Sequence, residues 1–158
     1  MAKRKITALL VMVFVLLVSS YMYYSKIYLI DESSIPSEIQ DKISKSETID
    51  IGHLIDGEWD TLYIISPYTS TEEVKKEFGV NLDRLRNNSI TYIDGQSLFV
   101  FCRDRQIESY FYIKYPLAEV DYSSLPEKHM LPRGEAIFTS VNEQTTHKLV
   151  KLPPTIFV

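Results

Sequence analysis

The chain has 158 residues, 17 Lys and Arg against 21 Asp and Glu, a formal net charge of −4 and one cysteine. A single thiol excludes an internal disulfide, so any folded part must hold by packing alone. All 21 acidic residues lie beyond position 30, while Lys3, Arg4, Lys5 and Lys26 precede it; residues 27–158 therefore carry 13 basic against 21 acidic groups, net −8. That field repels nucleic acid and anionic headgroups, so DNA, RNA and peripheral membrane binding are disfavoured.

The amino-terminal segment carries the strongest signal. Lys3, Arg4 and Lys5 form a cationic head, and Ile6–Val18 follows as 13 residues without a charge and with one hydroxyl, Thr7. As helix that run spans roughly 20 Å at ~1.5 Å per residue, short of a hydrocarbon core of about 30 Å. Extension through Tyr24 gives 19 residues and places Tyr21, Tyr23 and Tyr24 at the outer interface, where amphipathic rings gather. The expectation is a signal anchor over 1–26, spanning the bilayer through residues 6–24. Its amino terminus is cytoplasmic and the remainder extracytoplasmic by the positive-inside bias. The alternative is a cleaved secretory signal cut near Ser20, releasing a secreted domain. Lipid attachment would need a cysteine just after the apolar run, and the only one is Cys102.

Beyond the anchor, residues 27–46 read as a tether with a short helix at its end, Ser37–Lys45, whose Ile39 and Ile43 share a face. Residues 47–158 read as one extracytoplasmic domain. Thr48–Leu54 is a first strand and Asp56–Gly57 a turn. Trp59–Ile65 is an aromatic and β-branched strand ended by Pro67. Ser70 with Glu73 forms a capping box; Val74 and Phe78 face the core, Gly79 stops the helix, and Leu82–Leu85 is a further turn. Strands follow at Ile90–Ile93, Ser97–Cys102 and Ile107–Tyr115. With Asp104–Arg105 as the turn, Cys102 opposes Ile107, Leu98 opposes Phe111 and Phe99 opposes Tyr110. Both faces of that hairpin are apolar, which predicts a central pair covered on both sides. Leu117–Arg133 reads as loop, and Ala136–Val141 with His147–Leu152 as a last hairpin turning over Asn142–Thr145. The fold class is α+β, a mostly antiparallel sheet with one or two helices.

No residue set converges on chemistry. His53, His129 and His147 lack metal-ligand spacing, no GxSxG elbow is present, and five glycines form no phosphate loop. No cofactor or metal is implied. Asp56, Glu58 and Asp60 alternate beside a turn and would need a distant His to make a small hydrolase site. Cys102, inside an apolar strand, reads as a buried small hydrophobe. Trp59-Asp60 and Pro67-Tyr68 are the candidate partner-binding residues. Their structural roles would be a core plug at Trp59, a strand-end cap at Asp60 and packing of Tyr68 under the helix; their functional role would be an exposed aromatic platform.

The stretch Trp59-Asp60-Thr61-Leu62-Tyr63-Ile64-Ile65-Ser66-Pro67-Tyr68-Thr69-Ser70 resembles the WDxxYIxxPYT segment of a family of small uncharacterised exported bacterial proteins, held at the membrane by a lipid or an apolar helix. Asp94–Ile113 is similar to the second half of that family. The resemblance covers Trp59–Tyr115, implies location and fold, and brings no catalytic residue.

The function expected is that of a non-enzymatic domain on a single-pass anchor, with a protein or envelope partner. The alternatives are an immunity or inhibitor protein against an exported toxin, marked by a contiguous acidic face near Trp59, and the small hydrolase.

Overall fold

The computed structural model describes residues 11–21, 29–143 and 145–153. The helix α1 occupies 11–21, with its apolar side chains exposed. Among the described residues no helix is long and apolar enough to cross a membrane. The other expected anchor residues, 1–10 and 22–26, lie outside them.

Then follow α2 (Ser37–Ser44), β1 (Thr48–Asp50), α3 (Ile51–Leu54), β2 (Thr61–Ile65), α4 (Thr71–Phe78), β3 (Gln96–Arg103), β4 (Gln106–Lys114), β5 (Glu119–Val120), β6 (Met130–Pro132), β7 (Ile137–Glu143) and β8 (Thr146–Lys151). They build an α+β domain of two four-stranded sheets, ordered β1-β7-β8-β5 and β4-β3-β2-β6. All pairings are antiparallel except β5 with β8.

Alternation along the strands divides the apolar residues between two cores. Leu62, Ile64, Phe99, Phe101, Phe111 and Ile113 turn one way and meet Ile49, Val120, Phe138 and Leu149 of the other sheet. The Phe99 ring lies 5.5 Å from Phe111 and 6.2 Å from Phe138. Tyr63, Ile65, Leu98, Val100, Cys102, Tyr110 and Tyr112 turn the other way, under Val74, Phe78, Leu82 and Ile90. The β3–β4 hairpin is thus covered on both sides, as its apolar alternation requires. α4 carries the expected capping box, Ser70 Oγ accepting from Glu73 N and Glu73 Oε2 from Ser70 N, and it stops at Gly79 with φ 71°.

Several boundaries differ from the sequence reading. The hairpin turns at Asp104–Arg105, both with positive φ, and Cys102 faces Ile107 as expected. A bulge then inserts Glu108, so Phe101 faces Ser109, Leu98 faces Tyr112 and Phe99 faces Phe111. One extra residue restores the parity that puts Phe111 between the sheets. The first strand stops at Asp50 because its Oδ1 accepts from His53 N and starts the turn α3. Ile90–Ile93 is a turn, not a strand: Asn88 Oδ1 accepts from Ile90 N, and Ser89 O accepts from Tyr92 N and Ile93 N. β3 is already paired on both edges, so local bonds win there. Leu117–Arg133 contains β5 and β6, too short to show periodicity. The segment 27–46, expected as a tether, packs on the domain over its described part: Ile39 and Ile43 are buried in the inter-sheet core and Ile30 bridges to Leu85.

Candidate functional site

The four residues singled out, Trp59, Asp60, Pro67 and Tyr68, flank β2 at opposite ends, so the structure does not bring them together. At the first end Trp59 is 2% exposed and fills the inter-sheet core, edge-on to Phe101 at 5.0 Å. Its indole Nε1 donates to Ile55 O at 3.1 Å. Arg133 stacks over the ring at 4.8 Å and donates to four carbonyls of the segment 52–59: Nε to Gly52 (2.9 Å), Nη1 to Gly57 (2.6 Å) and Trp59 (3.4 Å), and Nη2 to Ile55 (3.1 Å). Gly52 has to be glycine, since a Cβ there would collide with the Arg133 carbonyl oxygen. Asp60 ties the start of β2 to the hairpin, accepting from Thr61 Oγ1 and from Asp104 N; the Thr61 hydroxyl, then the Asp104 N–H, hold its carboxyl below the ordinary value. This end is scaffold, and Arg133 is its organiser. Sequence inspection missed Arg133 because it follows Pro132 in a stretch without periodicity.

The acidic residues at this end do not assemble a site. Arg103 sits between Glu58 and Glu108 and pairs with both. Among the described residues no group of three or more His, Cys, Asp and Glu is placed to hold a metal ion. His147 Nδ1 lies 3.1 Å from Ser140 Oγ, yet that hydroxyl is buried and donates to Ile43 O, so the pair clips α2 to β7 and leaves no free nucleophile. Burial pushes the Cys102 thiol up to about 12.

The other end of β2 is different. Ser66–Thr69 is a tight turn in which Thr69 Oγ1 donates to Ser66 O at 2.9 Å. Pro67 precedes Tyr68, whose φ of 64° belongs to a place glycine usually takes. That geometry swings Tyr68 outward to 61% exposure, away from the helix under which it was expected to pack. Its N–H donates to Ile90 O, tying the turn to the loop 86–95, where Tyr92 and Ile93 are also exposed. Tyr115, exposed just after β4, donates its N–H to Gly95 O. Tyr68, Tyr92, Ile93 and Tyr115 thus surround the end of the sheet where β2 and β4 finish and β3 begins.

A hollow of about 290 Å³ opens there, lined by Pro67, Asp94, Gln96, Glu119 and Tyr122 among others. Its polar floor is satisfied internally. Buried Gln96 donates to Ser89 Oγ at 2.9 Å, and Tyr122 OH donates to Ser97 Oγ at 2.7 Å. Burial raises the Tyr122 phenol to about 12, so it stays protonated at neutral pH. The arrangement offers aromatic and apolar contact area around hydrogen-bonded polar groups. No protein-family model, curated protein or solved structure matches the chain.

Proposed function

We propose that the chain is a single-pass membrane protein whose amino-terminal segment anchors a non-enzymatic extracytoplasmic domain acting by contact at the cell envelope. The anchor reading rests on Lys3-Arg4-Lys5 ahead of an uncharged run, whose described portion, 11–21, is helical with apolar side chains exposed. The observation that carries the contact reading is the gathering of Tyr68, Tyr92, Ile93 and Tyr115 at one end of the sheet, above polar groups that already have partners. Tyr is rigid, amphipathic and over-represented in binding hot spots. The resemblance of Trp59–Ser70 to small exported proteins agrees with the location.

The test places a photo-crosslinking residue at Tyr92, and in a second variant at Val141 on the other sheet, in the full chain expressed in cells. Protease added outside intact cells checks the location. Adducts formed at 92 and not at 141, on a chain degraded from outside, are the expected result. Equal or absent adducts at good expression overturn the contact reading, and protection from external protease overturns the location.

A further inference from the structure

The place where the chain enters the domain lies beside the exposed aromatic end. Ile30 N donates to Arg84 O and Arg86 N to Ile30 O, which fixes Leu29 and Ile30 next to the loop that runs on to Tyr92 and Ile93. On the other side, Glu32 pairs with Lys114 at 3.0 Å, one residue before Tyr115. Among the described residues from Leu29 onward, seven large hydrophobic side chains are exposed; of these, Leu29, Tyr92, Ile93 and Tyr115 lie on the segments joined here, and Tyr68 on the turn whose N–H bonds Ile90 O.

From Tyr24, where the expected membrane segment ends, to Leu29 is five residues, which reach at most about 17 Å when fully extended. Headgroups occupy some 5–7 Å of that on each side of the hydrocarbon. A chain so short cannot hold this end of the domain far from the bilayer. We infer that Leu29, Tyr68, Tyr92, Ile93 and Tyr115 form a lipid-docking face that seats the domain on the outer membrane–water interface. The inference rests on the anchored reading above. Tyr suits the interface because its ring enters the apolar boundary while its hydroxyl stays wet. The net charge of −8 beyond residue 26 disfavours adsorption by charge, and two described cations beside the face are paired, Arg86 with Asp31 at 2.8 Å and Lys114 with Glu32. The contact is therefore apolar and imposed by the short tether; it is indifferent to salt on neutral lipid and weaker on anionic lipid, where the acidic domain is repelled.

The experiment uses the full chain reconstituted into phosphatidylcholine vesicles, with Tyr92→Cys or Val141→Cys labelled by an environment-sensitive fluorophore; buried Cys102 does not compete for label. Flotation is read first, then quenching by nitroxide lipids and by aqueous iodide. Expected are flotation, lipid quenching and a blue shift at 92, and iodide quenching alone at 141. The signal at 92 should persist in high salt and fall when phosphatidylglycerol is added. Loss of the lipid quenching at 92 in Tyr68→Ser/Tyr115→Ser, with flotation intact, assigns the contact to the face. A floating chain whose two positions are quenched alike by iodide overturns the docking and leaves the anchor standing. A chain that does not float overturns both.

Discussion

Replacing Arg133 by Met keeps the length of the stem and removes the guanidinium. Three hydrogen bonds of 3.1 Å or less, to Gly52, Gly57 and Ile55 carbonyls, disappear with the stacking on Trp59. Hydrogen bonds from a charged donor are worth about 1.5–3 kcal/mol each, but carbonyls near the surface regain water when the donor leaves. Halving the low end of that range and adding ~0.5–1 kcal/mol for the cation–π contact gives a loss of about 3 kcal/mol. For a domain of this size that corresponds to a Tm lower by roughly 10 °C. Urea unfolding of the detergent-solubilised chain, followed through Trp59 fluorescence, reads the loss directly because Trp59 is the only tryptophan. Arg133→Lys keeps the charge but cannot reach three carbonyls in a planar fork, so it falls between the two. A loss below about 1 kcal/mol for Arg133→Met would refute the reasoning, since the loop 52–59 would then hold without the guanidinium.

Cys102, buried with its thiol raised to about 12, stays unreactive towards a thiol reagent at pH 8 in the native chain and reacts fully in urea; rapid native labelling would place it at the surface. Ser70→Ala removes the acceptor for Glu73 N and costs about 1 kcal/mol in the same urea assay, whereas no change would mean the cap is not formed in solution. Three carboxyls sit below their ordinary values: Asp60 chiefly through Thr61, Glu73 through the Ser70 N–H and Asp121 through Ser123. Folding therefore favours their charged forms, and that stabilisation is present above the ordinary carboxylate range and lost as pH falls through the lowered values. The urea midpoint accordingly drops on acidification towards pH 3, and drops less in Asp60→Asn/Glu73→Gln/Asp121→Asn; an equal drop would show that other groups govern acid stability.

The elements legible in the sequence are those whose determinants are local. The box Ser70–Glu73 and the stop at Gly79 fix α4 within one segment, and alternating Phe and Tyr over Leu98–Tyr112 announce a hairpin buried on both faces. What stayed hidden depends on partners distant in the chain. Glu108 becomes a bulge only because Phe99, Phe111 and Phe138 have to meet between two sheets, and Ile90–Ile93 has strand chemistry but is held as a turn by Asn88 and Ser89 and bonded through Ile90 O to the distant Tyr68 N–H. The sites divide in the same way. The sequence alone determined an uncharged apolar run behind a cationic head, an acidic remainder and a domain without an internal disulfide. Only the tertiary structure decided that Trp59 is buried under Arg133, 74 residues further along the chain, and that a left-handed Tyr68 points outward. Exposure is a property of how distant segments pack, and neighbouring residues of one motif can sit on opposite sides of that decision.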